Sequence, residues 1–218
     1  MEVLTFPSAY LSVFSFLLGL GGFLAVIYGA AVAGSEWTWG TLKNAVARGE
    51  GRVRYMVGTF AAVAILVGIG FVVAFAFGVL MAVLGAGIAG IGTSGIGDSA
   101  TLGRLPEKLG RGWLAISEEA ALGFAIATIA RSQLAGIGAG IAIYFGESFA
   151  TLFLPDIVKY MPFNAANAVV VTGTNGGGFN GGGVARLQPD VALLVVVAWL
   201  VGALVVSSLV TERADIGG

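Results

Sequence analysis

The chain has 218 residues, 57% of them hydrophobic and only 11% charged, with a net charge of −1. Soluble domains carry about 25% charged residues, so this chain cannot cover itself with water-facing side chains and reads as an integral membrane protein. It has neither cysteine nor histidine, which excludes a disulfide framework, a thiolate nucleophile and the usual zinc sites and removes the commonest general base; its near-neutral charge implies no nucleic-acid partner.

Residues 3–35 carry no charge. Within them, 10–34 is long enough for one crossing, which takes roughly 20 residues. No positive n-region precedes it and it is too long for the h-region of a signal peptide, so it is read as a retained span. A loop over 35–56 follows, with EWTWGTLKNAVARGEGRVR at 36–54. Trp39, Leu42 and Val46 share one face at helical spacing. Lys43 and Arg48 lie off that face, and Gly49 and Gly51 stop the helix. The expectation is a short amphipathic helix on the membrane surface, with Trp37 and Trp39 in the interfacial belt.

Residues 55–97 are again uncharged, 43 in all. A span over 57–84 is expected. The tail GAGIAGIGTSGIG would finish that helix, re-enter, or line a surface sheltered by protein. Spans over 113–130 and 133–153 read as a helical hairpin turning at Arg131-Ser132, and 191–210 is the last span. The fold class is therefore an all-α polytopic bundle of about five spans in a single domain, 1–218, with its termini on opposite faces. If 36–54 is cytoplasmic, the inside bases are Lys43, Arg48, Arg52, Arg54, Arg131 and Arg213, against Arg104, Lys108, Arg111, Lys159 and Arg186 outside. The margin is one, and the local density in 43–54 favours that loop being inside. No internal repeat of fixed period is visible.

Three carboxylates fall within or beside the spans, where a charge at the bilayer centre costs at least ~2.5 kcal/mol. Glu118 and Glu119 follow Trp113 closely and are placed near the outer interface. They point about 100° apart on a helix, so they are not a catalytic pair. Glu147 lies deeper, either as an intramembrane polar site or as a partner of Arg111 or Lys159. GIGAG at 136–140 and Gly68/Gly70 permit close helix approach.

The run GTNGGGFNGGG at 173–183 lacks the Lys and Ser/Thr of a phosphate loop, since Val184 and Ala185 follow it. No G-x-x-x-x-G-K-[ST] occurs elsewhere, so the chain binds no ATP by that route. The run reads as a flexible connection. Its GTNGGGF also resembles a filter strand of the potassium-importing subunit of bacterial P-type potassium pumps. A filter of that kind needs several similar loops around one axis, and the chain has one.

E-W-x-W-G-T-L-K, then A-R-G-x-G-R, then an apolar span, resembles the first cytoplasmic loop of ABC-2 type transporter permeases. Phe-Pro-Ser at 6–8, Lys-Tyr-Met-Pro at 159–162 with Asn-Ala-Ala-Asn after it, and Thr-Glu-Arg-Ala-Asp-Ile at 211–216 agree in order and spacing. The resemblance covers nearly the whole chain. It implies a non-enzymatic permease in a prokaryotic plasma membrane, more an exporter than an importer. It also implies a separate ATP-binding subunit, which holds the ATP and Mg, and a second permease copy. The loop would be the coupling helix, with Glu36, Trp37, Trp39, Gly40, Thr41, Leu42 and Lys43 at its core and Arg48 and Arg52 after it. This chain would bind no cofactor of its own. Such permeases usually have six spans, and this chain starts where the first extracellular loop would end. The first span is thus expected to be missing through a late start, a truncation or a genuine five-span form. Two other readings stand beside this one: an ATP-independent channel or secondary transporter, and a non-transporting membrane scaffold or immunity-type protein.

Overall fold

The computed structural model describes residue 6 and residues 8–170 and 186–214. All the regular structure among the described residues is helical: α1 (Ser8–Thr38), α2 (Thr41–Ala47), α3 (Arg52–Ile88), α4 (Ser99–Ala130), α5 (Gln133–Ala150), α6 (Pro155–Val158), α7 (Pro162–Ala168) and α8 (Pro189–Arg213). Of these, α1, α3, α4 and α8 are long and apolar enough to cross a membrane, and the chain is a multi-pass membrane protein. The span expected over 133–153 corresponds to α5, which has 18 residues and falls outside that set. At 1.5 Å per residue it is about 27 Å long. The run 173–183, Pro7 of the Phe-Pro-Ser motif and the last two residues of the 211–216 motif lie outside the described residues.

Two helices outrun their apolar cores. The helix expected at 113–130 begins at Ser99, because Asp98 caps it: its carboxylate accepts from the Thr101 amide at 3.0 Å and the Thr101 hydroxyl at 2.6 Å. At its far end Arg131 takes the left-handed conformation (φ 50°), and the Ser132 hydroxyl accepts from the Ala135 amide at 3.3 Å to start α5. That is the expected hairpin turn. Likewise α3 runs from Arg52 to Ile88, and the glycine tail finishes it before Gly90 turns the chain at φ 67°.

The core is built around α4. Two-thirds of its apolar window is buried (67%), against 17% for α3 and α8, so α4 is central and the other two face lipid. Glycines set the closest approach. A Cβ on Gly29 of α1 would fall 2.8 Å from the Ala120 carbonyl carbon, and one on Gly123 of α4 would fall 2.8 Å from that of Val26. The two helices thus touch backbone to backbone through reciprocal glycines. Of the expected close-approach glycines, Gly68, Gly136 and Gly140 do meet neighbours, while Gly70 and Gly138 face open space. Aromatic rings join α1 to α3, with Phe14 and Phe75 centroids 4.5 Å apart. Within α1, Leu17–Gly21 forms one wide π turn.

The two ends of the bundle differ. At one end Arg52 donates to the carbonyls of Glu212 (3.1 Å) and Ala214 (2.7 Å), and Arg131 sits over the Trp37 ring at 5.2 Å. The 36–54 loop, the hairpin turn and the end of α8 therefore share a face. At the other end Arg111 pairs with Glu107 and Asp190, each at 2.8 Å.

Candidate functional site

The loop face is organised by Glu36. Its carboxylate accepts from the Tyr55 hydroxyl at 2.8 Å and from the Thr41 hydroxyl. One side chain near the end of α1 thus holds the starts of both α2 and α3. Gly40, at φ 68°, makes the turn between α1 and α2, a conformation that glycine enters without steric cost. Leu42 and Ala45 of α2 are buried against the bundle, while Lys43, Asn44, Ala47 and Arg48 face outward. Arg48 bonds its own helix, donating to the Asn44 carbonyl at 3.2 Å.

The expected stripe of Trp39, Leu42 and Val46 does not form. Gly40 ends the helical register, so Trp39 caps α1 and is 73% exposed instead of lying on α2. Ala45 takes its place on the inward face. Glu36 and Trp37 likewise belong to α1, and the surface helix is only seven residues long.

The acids lie elsewhere than their spacing suggested. Glu118 and Glu119, expected near the outer interface, are fully buried. Because α4 starts at Ser99, Trp113 is a mid-helix residue. Its indole donates to the Ala64 carbonyl of α3 at 2.7 Å. The carboxylate of Glu119 rests against Gly22 of α1, just past the π turn, in the space that a side chain there would fill. Neither Glu118 nor Glu119 has a hydrogen-bond partner among the described residues. The signal available in the sequence was a pair of acids between Ser117 and two alanines in an otherwise apolar run.

Glu147 pairs with neither Arg111 nor Lys159. Lys159 meets Asp156 at 3.3 Å, and Arg111 is engaged as above. The Glu147 carboxylate instead accepts from the backbone amides of Phe163 (3.3 Å) and Asn164 (2.6 Å) and from the Asn164 side-chain amide (2.7 Å). Pro162 opens α7, and the first amides of a helix have no internal partner. Glu147 supplies that partner from α5, and its charge suits the positive end of α7. Nearby, the Tyr144 hydroxyl donates to the Gly19 carbonyl in the π turn at 3.0 Å.

Below α7 lies a cavity of about 460 Å³, bounded by α1, α4, α5, α7 and α8. Its lining is apolar apart from Glu147. A shallower depression on the loop face is lined by Arg48, Glu50, Arg54 and Tyr55. Among the described residues no group of three or more acidic side chains is placed to hold a metal ion. No family model, curated protein or solved structure matches the chain.

Proposed function

We propose that this chain is the membrane-spanning permease subunit of an ABC-2 type transporter in a prokaryotic plasma membrane, acting as an exporter and working as a pair of permeases driven by a separate ATP-binding subunit. The observation that carries this reading is the construction of the loop. The α2 helix is locked inward by Leu42 and Ala45 and tied through Glu36 to the helices on either side of it, while Lys43, Asn44 and Arg48 point away from the bundle. A short helix held this way moves with α1 and α3 as one body, so a push on its outer face reaches the spans. The family motif falls on these same residues.

The test is purification of the full chain in mild detergents, followed by identification of co-purifying proteins and an ATPase assay. Recovery of an ATPase with a phosphate loop is expected. Lys43→Glu, on the exposed face, should weaken its capture without altering elution of the chain itself. Failure to recover such an ATPase in several detergents refutes the reading, as does capture that Lys43→Glu and deletion of 39–46 both leave unchanged. The buried carboxylates favour one second reading, an ATP-independent secondary transporter. It predicts solute movement into vesicles that contain this chain alone.

A further inference from the structure

The depression on the loop face, about 650 Å³, lies where α2 meets the start of α3. Its lining includes Arg48, Glu50, Arg54, Tyr55 and Thr59. Arg54 is exposed, and its side chain makes no ion pair or hydrogen bond among the described residues. Arg48 gives its Nε to the Asn44 carbonyl, a neutral partner that leaves its charge in place. Arg52 likewise donates to main-chain carbonyls. Glu50 is the one acid in the lining. Glu36 adjoins it through Tyr55, but its carboxylate is held by Tyr55 and Thr41. Two guanidiniums against one carboxylate leave the depression positive.

Arg54 also heads an apolar stripe. Gly58, Ala61, Ile65, Ile69 and Val72 follow it at i+4, i+7, i+11, i+15 and i+18, along one face of α3. All five are exposed, on a helix that faces lipid. Further along, Ile65, Ile69 and Val72 form one wall of a groove of about 470 Å³, closed on the other side by Leu109, Gly110 and Trp113 of α4. The groove offers no free polar group, because the Trp113 indole N–H is given to the Ala64 carbonyl. Ile65 stands eleven residues after Arg54, about 16 Å along the helix. One leaflet is about 15 Å of the ~30 Å hydrocarbon core. The groove therefore opens at the depth where a lipid chain ends when its headgroup sits at Arg54.

We propose that this face of α3 binds an anionic phospholipid, with its phosphate at Arg54 and Arg48 and one acyl chain running down the stripe into the groove beside Trp113. Phosphate suits arginine, whose planar fork can bind two oxygens at once. Basic clusters at the membrane surface attract anionic headgroups. The chain contacts are what a free phosphate or an acidic protein surface cannot make, and they select a lipid as the occupant. The binding stands whether or not the chain is a permease.

The test titrates the full chain in mild detergent and follows bound lipid by native mass spectrometry. Three probes are used: dioleoylphosphatidylglycerol, the zwitterionic dioleoylphosphatidylcholine, and glycerol phosphate, which has the anion without the chains. Phosphatidylglycerol should bind about tenfold more tightly than phosphatidylcholine, the equivalent of ~1.4 kcal/mol, and glycerol phosphate at equal concentration should not displace it. Arg54→Gln should erase that preference and leave phosphatidylcholine unchanged. Gly58→Phe and Gly110→Phe add side chains where nothing lies within 4 Å. Each should weaken phosphatidylglycerol, the first at the headgroup and the second along the chain, without altering elution of the protein. Arg104→Gln, in the first turns of α4 at the opposite end, controls for net charge. Equal binding of the two lipids overturns the proposal, as does displacement by glycerol phosphate. So does an Arg54→Gln chain that keeps the preference, an Arg104→Gln chain that loses it equally, or binding that both phenylalanine variants leave unchanged. None of these outcomes depends on recovery of an ATPase, so failure of the site and failure of the permease reading are separately visible.

Discussion

Gly29→Ala tests the backbone contact on which the bundle is built. The added methyl would stand 2.8 Å from the Ala120 carbonyl carbon and nearer still to its oxygen, where ordinary contact begins at 3.4 Å. The neighbour is main chain in the middle of α4 and cannot swing aside, so α1 must back away by about 1 Å or more. A gap of that size forfeits about half of the ~0.1–0.2 kcal/mol of each atom pair. Over roughly 40 pairs this comes to about 3 kcal/mol, at the top of the ~1–3 kcal/mol typical of an over-packed core. For a chain of this length that is a fall in Tm of about 6–12 °C. The control is Gly138→Ala, which meets nothing within 4 Å and exchanges a poor helix former for a good one. Thermal unfolding in detergent, followed by size-exclusion chromatography, measures both. If Gly29→Ala melts with Gly138→Ala, within a degree or so, the glycine contact is not what holds α1 to α4.

Three other outcomes are expected. Tyr55→Phe removes a hydrogen bond to the Glu36 carboxylate, a loss of about 1.5–3 kcal/mol for a bond to a charged group, and should show as faster amide exchange through α2 with the long helices unaffected. Glu147→Ala leaves the first amides of α7 without their acceptor and should cost about 1–3 kcal/mol in thermal stability, with Glu147→Gln losing less because one oxygen remains. The Thr101 bonds hold the Asp98 carboxyl below the usual aspartate range. The stabilisation is therefore full above the usual aspartate range, wanes as pH falls through that range and is gone only below the depressed folded-state value, so the cap on the Thr101 amide should open only on strong acidification, and Asp98→Ala should abolish that dependence.

The long apolar helices were legible because hydropathy over some twenty residues records the solvent directly. Their ends were not. The stretch 99–112 holds Arg104, Glu107, Lys108 and Arg111 and reads as a loop. A single capping residue, Asp98, commits it to α4, so Trp113, Glu118 and Glu119 stand in the middle of a helix and not near its start. The loop failed differently. Periodicity counted Trp39 into a helix, but Gly40 adopts a positive φ and breaks the register between α1 and α2. For Glu147, charge alone suggested a basic partner. The acceptor that α7 needs is a property of backbone geometry, marked in the sequence only by Pro162. Glu118 and Glu119 were visible as residues, but their isolation depends on which helices surround them.

The length of α3 has a mechanical consequence. Its 37 residues make about 55 Å of helix, against a hydrocarbon slab of about 30 Å and tilts that reach about 40°. Even at that tilt it projects about 42 Å along the membrane normal, so at least about 10 Å must emerge. With Arg52 and Arg54 fixing one end at the loop face, the surplus emerges at the other, around Leu84 and the 91% exposed Ile88. The helix is a gauge of bilayer thickness, leaning further in thin membranes and standing taller in thick ones. Because the chain has no cysteine of its own, single thiols placed at Ile69 and Ile88 would read that gauge directly, the first shielded from a water-soluble maleimide and the second open to it.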